Sequence, residues 1–290
     1  MAYTDSGGFA TFFDNINLTG DHHAVASARR ERVVSLLARE FEILDSFATG
    51  SISNYTAVKG HADLDVMLVL HWSKHIKDKK PSEVLGDVQS HLSEFRTGRR
   101  NGQAVTLCYD SWPDVDIVPV SRSVNDDGTV NYYSVPDMND EKWLVSRPRK
   151  HSKALTDANS SFGQEFKKLV KMLKWWNHQH SALMRSYHIE VLALKIFSGK
   201  TFSNFPWDVF TFFNEASTLT ESLLFDDDGN NVDEYLFLKF DKRAEILKRL
   251  KTAKDKAREA WYATYNNRGE HANAIAIWRQ IFGDKFPAYG

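Results

Sequence analysis

The sequence predicts an α+β protein in which a lobe built on a mixed sheet precedes a helical lobe. Apolar runs at residues 66–70, 104–109, 115–120 and 129–135 are punctuated by turn signals such as Asp126-Asp127-Gly128, the pattern of short strands and hairpins. Beyond about residue 155, apolar positions return at helical spacing almost without interruption. A chain of 290 residues that is 42% hydrophobic and 13% aromatic has ample material for a sizeable core. The expected boundary lies near residue 155, with 1–155 forming the sheet lobe, entered by a long helix, and 156–290 the helical one.

Charge narrows the partners. Lys and Arg total 37 against 38 Asp and Glu, a net charge of −1, so no global basic field recruits nucleic acid or an anionic membrane. Cys108 is the single cysteine, which excludes an internal disulfide framework and any multi-cysteine zinc site and fits a reducing compartment. The first eight residues lack a basic and apolar leader pattern, and no apolar run approaches the roughly 20 residues of a membrane span. A cytoplasmic protein is expected.

Residues 9–16 read as a short amphipathic helix packing through Phe9, Phe12, Phe13 and Ile16. Asp21 is the expected N-cap of a long helix over 22–47, where Val25, Val33, Leu36, Leu37, Phe41 and Leu44 recur near the helical period. It delivers the chain to Gly50-Ser51, where glycine permits close backbone approach and the hydroxyl and amides could hold phosphate oxygens. Asp63-Leu64-Asp65 then opens the run 66–70. Residues two apart on a strand share a face, so Asp63 and Asp65 project together. Two such carboxylates repel unless a cation lies between them, and hard divalent ions take oxygen ligands of this kind. Asp116, near the start of 115–120, completes a three-carboxylate cluster if that strand lies beside 66–70. Two metals roughly 3.5–4 Å apart could there clamp an in-line displacement at phosphorus. Taken singly, the Asp-x-Asp pair would be a turn and Asp116 a strand-edge charge. Their combination with the upstream Gly-Ser favours the metal cluster.

A helix over 81–95 turns Val84, Leu85, Val88 and Leu92 inward, 96–103 reads as an exposed turn, and 143–148 leads out of the sheet. Ser160-Ser161 caps a helix over 162–180 whose apolar side is Phe166, Leu169, Val170, Leu173 and Trp176. Lys167, Lys171 and Lys174 form one basic stripe on it; a solvated face is the default, but the stripe has no acidic partner beyond Glu165 and the next helix opens with Ser186-Tyr187-His188, which favours a function. Further helices are expected over 205–223, 242–265 and 272–282. Asp226-Asp227-Asp228-Gly229 has its glycine too early for a calcium loop and reads as an acidic turn.

Gly50-Ser51, Asp63-Leu64-Asp65-Val66-Met67 and Val115-Asp116-Ile117-Val118-Pro119 resemble the active-site signature of the DNA polymerase β-type nucleotidyltransferases. The resemblance is closest to the bacterial CD-NTases of anti-phage CBASS systems, relatives of cyclic GMP-AMP synthase and 2′-5′ oligoadenylate synthase. Lys171-Met172-Leu173-Lys174-Trp175 followed by Ser186-Tyr187-His188 is similar to the nucleotide-binding helices of that family. The resemblance implies a polymerase β-like fold with the active site in the cleft between lobes. It implies that Asp63, Asp65 and Asp116 hold two Mg²⁺ ions, with Mn²⁺ as a substitute. It further implies that Gly50, Ser51, Lys174 and Ser186 contact the donor triphosphate, that Lys171 assists them, and that Tyr187 stacks on a base.

The activity so implied joins nucleoside triphosphates into a cyclic di- or trinucleotide second messenger and releases pyrophosphate. A separate effector would read the product, and Gly290 is the residue through which a ubiquitin-like conjugation pair would act, as in some relatives. Two alternatives stay open on the sequence. One is an RNA-tailing or small-molecule nucleotidyltransferase of the same superfamily, against which a net charge of −1 speaks where the acceptor is long RNA. The other is a non-catalytic nucleotide sensor, against which three intact acids speak, because clustered carboxylates are costly to keep without a cation.

Overall fold

The computed structural model describes residues 4–237, 240–265 and 268–290. In chain order the elements begin with α1 (Asp5–Ile16), α2 (Gly20–Leu37), β1 (Ile43–Thr49), α3 (Gly50–Ser53), β2 (Leu64–Leu70), α4 (Trp72–His75) and α5 (Pro81–Ser93). Strands β3 (Gly98–Asn101), β4 (Ala104–Leu107), β5 (Val115–Val124), β6 (Val130–Asp137) and β7 (Lys142–Ser146) follow. The remaining described elements are α6 (Pro148–Ser161), α7 (Phe166–Gln179), α8 (Ser186–Ile196), α9 (Phe205–Leu219), α10 (Glu234–Phe237), α11 (Phe240–Thr264) and α12 (His271–Phe282), with a 3-10 turn over Gly283–Lys285. The mixture of sheet and helix is the α+β class expected. Contacts divide the chain into two compact units, Leu18–Lys153 and Met1–Asn17 together with Ala154–Gly290.

In the first unit the sheet runs β1-β2-β5-β4-β3, with β6 pairing β5 and β7 pairing β6. Strand β2 pairs antiparallel with β1 and parallel with β5. It is buried on both faces, which explains its uninterrupted apolar run. Leu64, Val66, Leu68 and Leu70 join Val33 and Leu37 of α2 and Val84, Leu85, Val88 and Leu92 of α5 in one core. Met67 and Val69 join Val120, Tyr133 and Val135 in a second. The side-chain period of two therefore puts Asp65 on the Met67 face, away from the helices.

In the second unit α7 is almost wholly buried, from Phe166 to Asn177. Helix α1 packs here and not with the sheet, because its Phe9 and Phe12 sit among Trp278, Phe282 and Phe286, with ring centroids 4.7–6.0 Å apart. Residues 4–17 thus fall in the second unit, not with the sheet as expected.

Four boundaries differ from expectation. The helix expected over 22–47 is α2, which starts after a Thr19–His22 capping box and stops at Leu37; Asp21 lies in its first turn, favourably placed for the helix dipole. Phe41 and Leu44 match the helical period by coincidence. The chain from Ile43 instead becomes β1, whose backbone pairs with β2 from Leu70 to Asp65. Residues 96–103 contain β3, an edge strand whose exposed Arg99 and Arg100 hide its strand character while blunting the edge. Lys142–Ser146 stays in the sheet as β7. Ser160-Ser161 ends α6 and does not cap α7, since Gly163 and Gln164 turn the chain at positive φ, 63° and 68°.

Candidate active site

Register alone gathers the acids. On the parallel pair, Asp65 lies opposite Asp116, and Leu64 opposite Val115. The segments that lead into the two strands are stitched together: the Leu64 amide donates to the Asp114 carbonyl at 2.9 Å, and the Trp112 indole N–H donates to the Ala62 carbonyl at 2.7 Å. Asp63, two residues before Asp65, is brought to the same end of the sheet. Its carboxyl is pushed above the usual range, first by partial burial, then by the carboxylates of Asp116 and Asp114, with Arg99 opposing. Asp63 therefore lies near enough to feel the charge of Asp116, although 53 positions separate them in sequence.

The Gly-Ser pair joins them through β1. Thr49, the last residue of that strand, lies opposite Asp65, and Gly50 follows directly. Gly50 has φ +69°, and a Cβ built there would stand 1.9 Å from Asp65 Oδ2. Any side chain at position 50 would displace that carboxylate, so the glycine is required on two counts. Ser51 is the next residue, in α3 and half-buried.

Asp116 is held by residues that sequence reasoning missed. Thr106 of β4 lies opposite it across an antiparallel pair, and the Thr106 hydroxyl donates to Asp116 Oδ1. Asn101 Nδ2 donates to the Thr106 hydroxyl at 2.6 Å and reaches Asp116 Oδ1 at 3.4 Å. Thr106 sits between Val105 and Leu107, and nothing short of the strand register marks it as the neighbour of an acid.

Two carboxylates on adjacent strands and a third just before one of them are a hard-oxygen donor set of the kind a divalent cation takes. Among the described residues no three His, Cys, Asp or Glu side chains form a ready-made metal-binding group. The strands supply convergence and like-charge repulsion, not a finished coordination shell.

The remaining predicted residues lie in the helical unit, on α7 and at the start of α8. The lysine stripe is not a solvated face: Lys171 is 5% exposed and Lys174 2%. Lys174 Nζ bonds Glu190 of α8 at 2.6 Å, with both side chains buried. Lys171 donates to Asn17 Oδ1, and burial, then the charges of Lys174 and Lys167, push its pKa down to about 8. Asn177 braces the turn between the two helices: its Nδ2 donates to the Met184 carbonyl at 2.7 Å, and its Oδ1 accepts from the Met184 amide at 3.0 Å. That turn sets Ser186, the exposed first residue of α8. Tyr187 follows with 40% exposure, its hydroxyl donating to Asp226 Oδ2 at 2.9 Å. Glu190 and Asn177 were not anticipated. Each is a buried polar residue, a signal that a sequence does not print.

No helix among the described residues is long and apolar enough to cross a membrane.

Comparison with known proteins converges on one family. A Bacillus cereus protein named "probable cyclic nucleotide synthase" is 27% identical over 192 residues, 66% of this chain and 57% of its own length. The chain thus spans little more than half of that relative. A cyclic AMP-AMP-AMP synthase from Acinetobacter is 27% identical over a stretch covering 83% of this chain and 72% of that protein. Among solved structures, E. coli MS115-1 CdnC with ATP superposes with a TM-score of 0.76 at 20% identity, covering 98% of this chain and 99% of that one. Vibrio cholerae DncV, a cyclic AMP-GMP synthase, gives 0.75 at 10% identity, covering 99% and 97%. The model of the Second Messenger Oligonucleotide or Dinucleotide Synthetase domain matches residues 1–159, more than half of the chain. The chain belongs to that synthetase family.

Proposed function

We propose that the protein is a nucleotidyltransferase that joins nucleoside triphosphates into a cyclic di- or trinucleotide, expelling pyrophosphate at each step. The observation that carries this reading is the pairing of Asp65 with Asp116 on adjacent parallel strands, with Asp63 two residues upstream and Gly50 against the Asp65 carboxylate. Asp63, Asp65 and Asp116 are the residues that would hold two divalent ions, Mg²⁺ or Mn²⁺. Such ions neutralise charge on the triphosphate and lower the pKa of a bound hydroxyl.

The protein's own groups do the rest. Asp116 lies near the attacking ribose hydroxyl, as a ligand of the ion that would sit there, and helps that hydroxyl give up its proton. The hydroxyl oxygen then bonds to the α-phosphorus of a second nucleotide, whose bond to pyrophosphate breaks. Gly50 and Ser51 bind the donor's terminal phosphates. In the helical unit, Lys174, Ser186 and Lys171 take phosphate oxygens, and Tyr187 offers a ring face to a base, with its orientation held by Asp226. Most of the rate comes from positioning and charge neutralisation. A separate effector reads the product in anti-phage defence, and Gly290 is the point at which conjugation would occur.

The deciding assay incubates the purified chain with all four nucleoside triphosphates and Mg²⁺ or Mn²⁺, then applies phosphatase and mass spectrometry. A phosphatase-resistant cyclic product is expected. Ladders built on added RNA would replace this reading with a tailing enzyme, and tight nucleotide binding without turnover would replace it with a sensor.

A further inference from the structure

The hydroxyl of Thr106 is 2% exposed as part of its residue, and its described contacts are the Asn101 amide and the Asp116 carboxylate. The direction of this chain follows from chemistry. An amide NH₂ can only donate and an ionised carboxylate can only accept, so the single hydroxyl proton points to Asp116 Oδ1. A bond of this charge-assisted kind is stronger than a neutral one. The rest of β4 is apolar and buried, as Ala104, Val105 and Leu107 show. Packing alone would be met by valine at position 106. The threonine therefore answers to the acid.

We propose that Thr106, backed by Asn101, is a positioning residue for Asp116. By occupying Oδ1 it fixes the carboxylate's rotation, so that Oδ2, which receives no hydrogen bond among the described residues, is the oxygen presented to a cation and to the attacking hydroxyl. A β-branched side chain on a paired strand is stiff at χ1, which makes it a suitable anchor. This role rests on the synthase reading of the site.

The test compares T106V, which keeps the shape and removes the hydroxyl, with T106S, which restores it. Mn²⁺ binding is read by electron paramagnetic resonance without nucleotide, and turnover is measured in parallel. T106V is expected to bind Mn²⁺ about 10–100-fold more weakly and to lose kcat to a similar degree, with KM for the triphosphate nearly unchanged. T106S should stay within about threefold of the parent in both. A T106V protein that matches the parent in Mn²⁺ affinity and kcat overturns the proposal, as does a T106S protein as impaired as T106V. If T106V does not fold, N101A at the exposed edge decides, since unchanged Mn²⁺ affinity there also overturns it. A parent that binds Mn²⁺ but makes no product would defeat the synthase reading, while the effect of Thr106 on Mn²⁺ remains measurable.

Discussion

The two units handle charge in opposite ways. In the sheet unit, acids from β2 and β5 are gathered at one strand end, and Asp63 is raised in part by its acidic neighbours. Stability gains nothing from that arrangement. In the helical unit, cations are drawn into the interior of α7, and Lys174 is matched there by Glu190. A buried pair of this sort is structural as well as chemical, since removing either member takes a buried counter-charge from the other. The acids gather like charge at a cost to the fold, the arrangement that the proposed reaction would need, whereas the lysines serve the fold as well as any ligand.

Three substitutions sharpen that contrast. Asp65→Asn should abolish product formation, on the order of a thousandfold in kcat, while leaving the circular dichroism spectrum and melting temperature unchanged or slightly improved. A variant that still turned over would remove the acid from the site, and one that unfolded would make it structural after all. Lys174→Met should behave differently, because it takes a buried counter-charge from Glu190; urea denaturation is expected to show a loss of about 3–5 kcal/mol. The double variant Lys174→Met, Glu190→Leu should recover most of that loss. If the single variant is as stable as the parent, the ion pair has no structural weight.

Lys171→Met should give the smallest effect, and it carries a pH signature. In the folded protein the ammonium titrates near 8, against an ordinary 10.5. Between those values the unfolded chain binds more protons than the folded one, so stability rises with pH through that window. Replacing the lysine should flatten the rise and stabilise the protein at pH 7 by on the order of 2 kcal/mol. Melting temperatures of the two proteins from pH 7 to 10 would show it, and parallel curves would contradict it.

The apolar strands and the acids were legible because their signals are local: the run 66–70, the Asp-Leu-Asp step and Val115-Asp116-Ile117 each state their character within a few residues. What escaped depends on partners far along the chain. Strand β1 was absorbed into the preceding helix because Leu37, Phe41 and Leu44 satisfy a helical period, and only pairing with β2 tells the two apart. Arg99 and Arg100 concealed β3 for the same reason. The burial of the lysine stripe stays hidden because Glu190 lies one helix further on, and Thr106 is unmarked because its acid partner lies ten residues away. Pattern reports what a residue is, and register reports what it meets.

The helical unit is split in sequence by the sheet unit, so that α1 closes its aromatic cluster with Trp278, Phe282 and Phe286 only across the full intervening chain. As the ribosome delivers the polypeptide, Leu18–Lys153 is available in one continuous stretch, whereas Phe9 meets its first aromatic partner at Phe205 and its last at Phe286. Truncation from the carboxyl end would therefore strip the first helix of its shelter before it touched the acids, and an amino-terminal fusion would sit beside a late-assembling joint.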